Sequence, residues 1–381
     1  MTEGGEYATL FRRRPARRSD GREAAGAPRY YVGDGYHIRE LTPGDGPAIA
    51  RLDRESPDTG LISFSTHYLI DPIEAIELLH PGADGAVAVL DGEQGIVGMA
   101  VMTTGTCRYE GRMRPYAYLF SVSVHPSYRR RGIASALYDW LIDTARRREG
   151  DDVVIVAGIQ GGNEASLHTA KRWSTHLDRR TSAIASRMRG RPPRSVPGIS
   201  VHEAVGDEWD GAAKGHNSFY AEYNLVPEQD GELLRSAHER GPHGRALRSY
   251  LVATDAAGRV VAGLSATDEG SLEPMVVVRM PRLLKAANAL LKLVPATGMM
   301  RRIPVRGFWF APGCERAARA LWEHLRFVWR ERGELVMAFV DPSNPLAAVI
   351  PSSPFLPKGG GYIALRAATS PSPDRLLYHY T

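Results

Sequence analysis

The feature that most constrains this chain is the run from Ser121 to Leu137, SVSVHPSYRRRGIASAL. Val122 and Val124 alternate with serines, as in a half-buried strand, and Pro126 stops that strand. Arg129, Arg130, Arg131 and Gly132 form a basic turn, after which Ile133, Leu137, Leu141 and Ala145 recur at helical spacing. A strand that feeds a helix through such a turn aims several backbone N–H groups at one point, where the helix dipole adds positive potential. This suits a pyrophosphate, and the arginines strengthen the attraction. The plain alternative is an ordinary basic turn on a solvated face.

The spacing separates this turn from better-known phosphate loops. The chain has neither G-x-x-x-x-G-K-[ST] nor G-x-G-x-x-G here, which argues against a P-loop or dinucleotide fold. It has R-x-x-G-x-A, carried by Arg129, Gly132 and Ala134, preceded by V-x-V-x-P from Val122 to Pro126. This pattern resembles the acetyl-CoA signature of the GNAT superfamily of N-acetyltransferases. The resemblance implies that Val122, Ser123 and Val124 pair with the pantetheine arm of the cofactor as an extra strand would. It implies a pyrophosphate cradle of Arg129, Arg130, Arg131, Gly132, Ile133, Ala134 and Ser135, using backbone N–H groups from Arg130 to Ser135. A strand N–H near Val122 would polarise the thioester carbonyl. Asn163 opens N-E-A-S-L, similar to the family's helix start, whose Asn touches the cofactor arm. A plain helix cap is the other role for Asn163, and the two are compatible.

The reaction so implied is direct acyl transfer to an amine, which needs a group to take the amine's proton and a proton for the leaving thiolate. Here the chain departs from the family. The position of the usual thiol-protonating Tyr is Ala170, and the strand carboxylate would fall at Tyr118 or Phe120. The catalytic candidates are Tyr118, which strict alternation places on one strand face with Val122, and His168, five residues after Asn163. Their plain roles are a packed strand tyrosine and an exposed helical histidine. Cys107 has no basic neighbour in sequence to activate it.

At 381 residues and 43% hydrophobic content the chain is long enough for two domains. Residues 1–35, with FRRRPARR from Phe11, read as a disordered basic tail. From Tyr36 the order strand, helix, hairpin, strand, basic turn, helix, strand, helix is that of the GNAT fold. This gives an acetyl-CoA-binding domain over 36–190 and a Pro/Gly-rich linker over 191–198. The order partly repeats over 199–368, before a tail over 369–381. The expected class is α/β (α+β): two tandem GNAT-like domains, each a mixed central sheet flanked by helices. The second is degenerate, because Ala311-Pro312-Gly313-Cys314-Glu315-Arg316 replaces the arginine turn and Glu315 would repel phosphate. The tandem arrangement resembles the plant HOOKLESS group and its bacterial relatives. The matching features are R-R-x-G-I-[GA] at Arg129 to Ala134, N-x-A-S at Asn163 to Ser166, F-x-F at Phe308 to Phe310, and a terminal strand near Leu377 to Tyr380. The segment 281–294 carries an apolar stripe including Leu283, Ala287 and Val294, beside Arg282, Lys285 and Lys292. It reads as a helix packed on a sheet, with a membrane-surface helix or a lid over an apolar acceptor as alternatives.

The net charge of +5 is modest and the arginines are spread along the chain, which argues against nucleic acid as partner. Two cysteines, no apolar run of membrane length and no apolar leader core point to a reduced, cytoplasmic protein. No metal is expected. The function expected is N-acyltransfer from acetyl-CoA, or another acyl-CoA, to an unidentified amine of a small molecule or a protein. The alternative is a non-catalytic acyl-CoA-binding or regulatory protein.

Overall fold

The computed structural model describes residues 30–32, 35–58, 60, 62–90, 95–238, 246–291, 294–351 and 359–378. Most of the arginine-rich tail, the hairpin tip Asp91 to Gln94 and Tyr380 lie outside the described residues. The first half of the chain comprises β1 (Tyr30–Val32), β2 (Tyr36–Glu40), α1 (Gly46–Glu55), β3 (Ser63–Thr66), α2 (Pro72–Leu79) and β4 (Asp84–Leu90). It continues through β5 (Ile96–Tyr109), β6 (Arg112–Val124), α3 (Ile133–Glu149), β7 (Val154–Gln160), α4 (Glu164–Trp173) and β8 (His176–Arg187). The second half begins with β9 (Ser200–Glu203), α5 (Glu208–Phe219), β10 (Tyr223–Asn224), α6 (Gly231–His238), β11 (Arg248–Thr254), β12 (Val260–Thr267) and β13 (Met275–Arg279). There follow α7 (Arg282–Leu291), β14 (Met299–Met300), β15 (Arg302–Phe310), α8 (Glu315–Val328), β16 (Leu335–Val340), α9 (Leu346–Val349), β17 (Gly359–Arg366) and β18 (Leu376–Leu377).

Local chemistry sets several of these boundaries. Asp71 caps α2, accepting from the Ile73 and Glu74 N–H groups, and Pro72 takes the first helical position, where no N–H is needed. α3 ends at Gly150, whose positive φ of 91° closes the helix. β5 and β6 run further than their apolar stretches alone suggest. They meet through a tight turn at Glu110 and Gly111, both at positive φ, with Tyr109 opposite Arg112. β1, within the stretch read as a tail, pairs antiparallel with β2.

Thirteen strands form one mixed sheet in the order β1-β2-β4-β5-β6-β7-β17-β8-β16-β15-β12-β11-β9. The β6–β7 and β15–β16 pairs are parallel and the other neighbours antiparallel. β17, near the end of the chain, lies between β7 and β8. The approach is close: a Cβ added at Gly361 would meet the Ile159 carbonyl oxygen at 2.6 Å. A small separate sheet, β14-β13-β3, joins β3 of the first half to β13 of the second.

Of three main cores, one lies on the sheet face away from α3 and holds Tyr116, Tyr118, Val156, Tyr250 and Trp309, and two lie under long helices. One is packed under α3 by Leu137, Trp140 and Leu141 against Ala117, Leu119, Ile155 and Ala157. The other is packed under α8 by Leu321, Trp322 and Leu325 against Leu251, Phe308 and Val336. Trp322 is fully buried, stacks on Phe308 at 5.9 Å and donates its indole N–H to Ser186 Oγ at 3.1 Å. Trp322→Ala therefore removes a large apolar volume and leaves the Ser186 hydroxyl without that donor. A loss of about 3–5 kcal/mol of unfolding free energy is expected, read from the denaturant midpoint at unchanged m-value.

Candidate active site

β6 and β7 pair only from Tyr116–Val154 to Leu119–Ala157. Beyond that point, residues 120–124 of β6 keep their pairing to β5 and residues 158–160 of β7 keep theirs to β17, while the two strands part from each other. The parting coincides with a bulge. The β5–β6 register slips by one residue between Met99–Ser123 and Val101–Phe120, and Ser121 takes φ 50°. A backbone edge left unpaired inside a sheet can accept an extended polar chain as an added strand.

The bulge also re-aims the strand. Strict alternation puts Tyr118 and Val122 on one face. In the structure Val122 and Val124 pack on the α3 side, whereas Tyr118 belongs to the cluster on the opposite face. The extra residue at the bulge separates them, and Ser123 turns toward α1, where its hydroxyl hydrogen-bonds Asp53.

The basic turn lies at the end of this opening. Gly132 caps α3 in the left-handed region at φ 82°, and Arg130 also has positive φ, 65°. Arg130, Arg131 and Gly132 are exposed, Ala134 and Ser135 are half-buried, and Ile133 is buried in the α3 core. The N–H groups of the first helical turn lack intrahelical acceptors by the geometry of any helix and point out of its end. Arg129 serves the scaffold: its Nε donates to the Val124 carbonyl at 3.1 Å and its Nη2 to the Pro57 carbonyl at 3.3 Å. Arg131 lies over the Tyr128 ring at 5.3 Å and reaches the Tyr36 hydroxyl at 3.4 Å. Asn163 is the N-cap of α4, accepting from the Ser166 N–H at 3.1 Å. His168 is exposed on α4, whose buried side, with Leu167, Ala170 and Trp173, packs into the α3-side core.

The opposite face holds a group of residues that no local pattern in the sequence announced. Tyr68 donates its hydroxyl to Asp53 Oδ2 at 2.9 Å. Glu273, just before β13, feels the charge of Asp53 and of Glu269, and Glu269 accepts from Arg302 at 2.9 Å and Arg306 at 3.3 Å. Asp53, Tyr68 and Glu273 retain some solvent exposure although protein encloses them on nearly every side, as in a crevice, and Ser123 joins them through its hydrogen bond to Asp53. Burial pushes the Asp53 carboxyl up to about 6 against the hydrogen bonds from Tyr68 and Ser123. Burial and then the charge of Glu269 push Glu273 up to about 8, against the pull of Arg302. Glu273 also feels the charge of Asp53, so the two carboxyls titrate as a pair whose protons are held more tightly than on free carboxyls. Burial also raises Tyr118, to about 12, so its phenol keeps its proton.

Tyr118 lines a cavity of about 870 Å³, together with Gly158, Ile159 and Gln160 of the unpaired stretch of β7. The unpaired stretch of β7 forms one wall; β17, β8 and β16 continue it, and β3, β13 and α7 cover it. Its lining is mostly apolar, and α7 contributes Leu284 and Asn288 while Leu283 points to solvent.

The second half repeats the strand device without the opening. β15 and β16 pair only from Arg302–Leu335 to Pro304–Met337, and Gly307 at φ 57° stands in a register slip against β12. Tyr220 and Tyr378 fill the parting there, leaving a void of about 20 Å³. The Tyr220 hydroxyl donates to the Phe308 carbonyl at 2.5 Å.

A mixed sheet whose parallel central strands part beside a bulge, with a helix N-terminus at the mouth, defines a GNAT-like fold. Comparison with known proteins agrees: residues 49–173 match the Acetyltransferase (GNAT) family. No curated protein sequence matches the chain. Among solved structures, N-myristoyltransferase of Saccharomyces cerevisiae with bound myristoyl-CoA is similar at TM-score 0.60 and 11% identity, covering 91% of this chain and 88% of that one. A GCN5-related N-acetyltransferase from Sphaerobacter thermophilus is similar at TM-score 0.53 and 15% identity, covering 88% of this chain and 98% of that one. At these identities the likeness is one of fold. No described helix is long and apolar enough to cross a membrane.

Proposed function

We propose that this chain is an acyl-CoA-dependent N-acyltransferase with one cofactor site, in the half bearing the arginine turn. The observation that carries the reading is the parting of β6 and β7 next to the left-handed Gly132 at the start of α3. The pantetheine arm lies along residues 122–124, the pyrophosphate sits on the N–H groups from Arg130 to Ser135, and Asn163 lies beside the arm. The match over residues 49–173 and the likeness to an acyl-CoA-bound fold support an acyl-CoA donor. Acetyl-CoA is the donor that the family signature suggests. The second half, over 199–368, is a degenerate copy of the first, as in the tandem HOOKLESS type. Its recurring bulge at Gly307 and the tyrosines filling its parting support that reading. We place the protein in the cytoplasm.

The chemistry follows from the crevice. An acceptor ammonium gives a proton to Asp53, whose raised pKa makes it a fitting base near pH 7. The freed amine attacks the thioester carbon, a strand N–H near Val122 holds the developing oxyanion, and the C–S bond breaks. The Tyr118 phenol gives its proton to the leaving sulfur and takes back the one that the amide nitrogen sheds, and Asp53 returns its proton to solvent. The missing helix tyrosine and strand carboxylate were the grounds for a non-catalytic acyl-CoA-binding protein; Asp53 beside Ser123 favours the enzyme. The test is release of free CoA thiol from acyl-CoA across a panel of amines. Amine-dependent release is expected, and binding without release over the whole panel would return the reading to a binding protein.

A further inference from the structure

We propose that the 870 Å³ cavity receives the hydrocarbon chain of the donor, so that the preferred donor is a long-chain fatty acyl-CoA. This rests on the acyl-CoA reading above and specifies the acyl group for the same site. The first ground is continuity. The cavity is lined by Tyr118 and Val156, from the paired part of β6 and β7, and by Gly158, Ile159 and Gln160, from the unpaired stretch of β7. A thioester seated in the parting therefore has its acyl carbon at the cavity entrance.

The second ground is size. A cavity of about 150 Å³ holds a six-carbon ring, so a sixteen-carbon chain needs roughly 400 Å³. An acetyl group would leave nearly all of about 870 Å³ unfilled. The third ground is chemistry. Met275, Met337, Phe339 and Leu284 give an adaptable apolar wall, and Ala183 and Ala185 of β8 keep its floor low. Among the described residues lining it, Arg302 is the sole charged one and none is acidic. An ammonium acceptor placed there would be a cation stripped of water without a counter-charge, which is costly. The carboxyls that suit an amine, Asp53 and Glu273, lie outside that lining. The parting thus adjoins acids for the acceptor, through the Ser123–Asp53 hydrogen bond, and an apolar pocket for the chain.

The experiment is a titration of the full chain with CoA and with acyl-CoAs of two, six, ten and fourteen carbons, each below its micelle concentration, read by calorimetry. Affinity should rise by at least about fivefold per two added methylenes through the whole series, because a fourteen-carbon chain, at roughly 350 Å³, still fits within the cavity. Ala185→Trp, which fills the floor, should flatten the rise at the longer chains; if it fails to fold, the wild-type series still decides. CoA and acetyl-CoA binding with no rise from two to fourteen carbons would overturn this inference and leave the acyltransferase reading standing. The same flat series together with tighter binding of amines bearing longer apolar tails would assign the cavity to the acceptor, which also overturns it. No binding of CoA or any of its thioesters would overturn both.

Discussion

Asp53→Asn lowers kcat/KM for amine acylation by about 10²–10⁴-fold, the usual contribution of a positioned general base, while acyl-CoA affinity changes little. Asparagine keeps the shape and can still accept from the Tyr68 hydroxyl that Asp53 Oδ2 binds at 2.9 Å, so the loss reports the proton acceptor and not the packing. The pH dependence supplies the second readout. In the wild type kcat/KM rises with pH through the titration of a carboxyl held at about 6, and Asp53→Asn removes that limb. Glu273, at about 8, feels the same charge, so the limb belongs to the coupled pair.

Stability moves the other way. A carboxyl whose folded pKa lies above its unfolded value of about 4 holds a proton that the unfolded chain releases. Its stabilising contribution is full below about pH 4 and is lost as pH rises through about 6. Asp53→Asn lacks this loss, so its stability relative to wild type improves between pH 4 and 6 and then levels off. Denaturant midpoints at pH 4 and pH 7.5 check the sign. Equal kcat/KM for mutant and wild type at pH 7.5, or an unchanged rising limb in the mutant, would remove Asp53 from the mechanism.

The turn was legible in the sequence because its information is local. Strand, proline, arginines, glycine and helix follow one another from Ser121 to Leu137, and backbone geometry does the rest. The crevice was not legible, because its members are far apart in sequence. Asp53, Ser123 and Glu273 meet only because α1 packs against β6 and because β3 pairs with β13 across some 200 residues of chain. One weak signal existed: Asp53 directly follows the buried positions Ile49 and Leu52 of α1, so an acid borders the apolar stripe.

Alternation failed at one residue for a definite reason. The bulge at Ser121 inserts a residue that hydrophobic spacing cannot reveal, and it moves Val122 off the face of Tyr118 while bringing Ser123 to Asp53. The place of β17 was hidden likewise, since nothing in Gly359–Arg366 says that it enters the sheet between β7 and β8. The fold class came through because each element carried its own period. The neighbours of each element came from pairing over long separations, which periodicity does not encode.

Gly132→Glu should weaken acyl-CoA binding by about 100-fold. The position isolates charge from bulk: a Cβ added at Gly132 meets nothing within 4 Å, so the side chain has room. Two effects then remain. The backbone sits at φ 82°, so any L side chain costs about 1–2 kcal/mol of local strain. The carboxylate faces the pyrophosphate, and two unit charges about 6 Å apart at an effective dielectric of 20 repel by about 3 kcal/mol, which is roughly the factor of 100. Gly132→Gln carries the same strain without the charge and should keep most of the affinity, and the gap between the two variants should narrow at high salt. The chain contains its own control. Gly313 precedes α8 at φ 77°, its added Cβ also meets nothing within 4 Å, and the parting beside it is filled by Tyr220 and Tyr378. Gly313→Glu therefore brings the same strain and charge to the other half and should leave acyl-CoA affinity at the wild-type value. Equal loss in the Gly132 and Gly313 variants would mean that the effect is general destabilisation. No loss at Gly132 would mean that the pyrophosphate is held elsewhere.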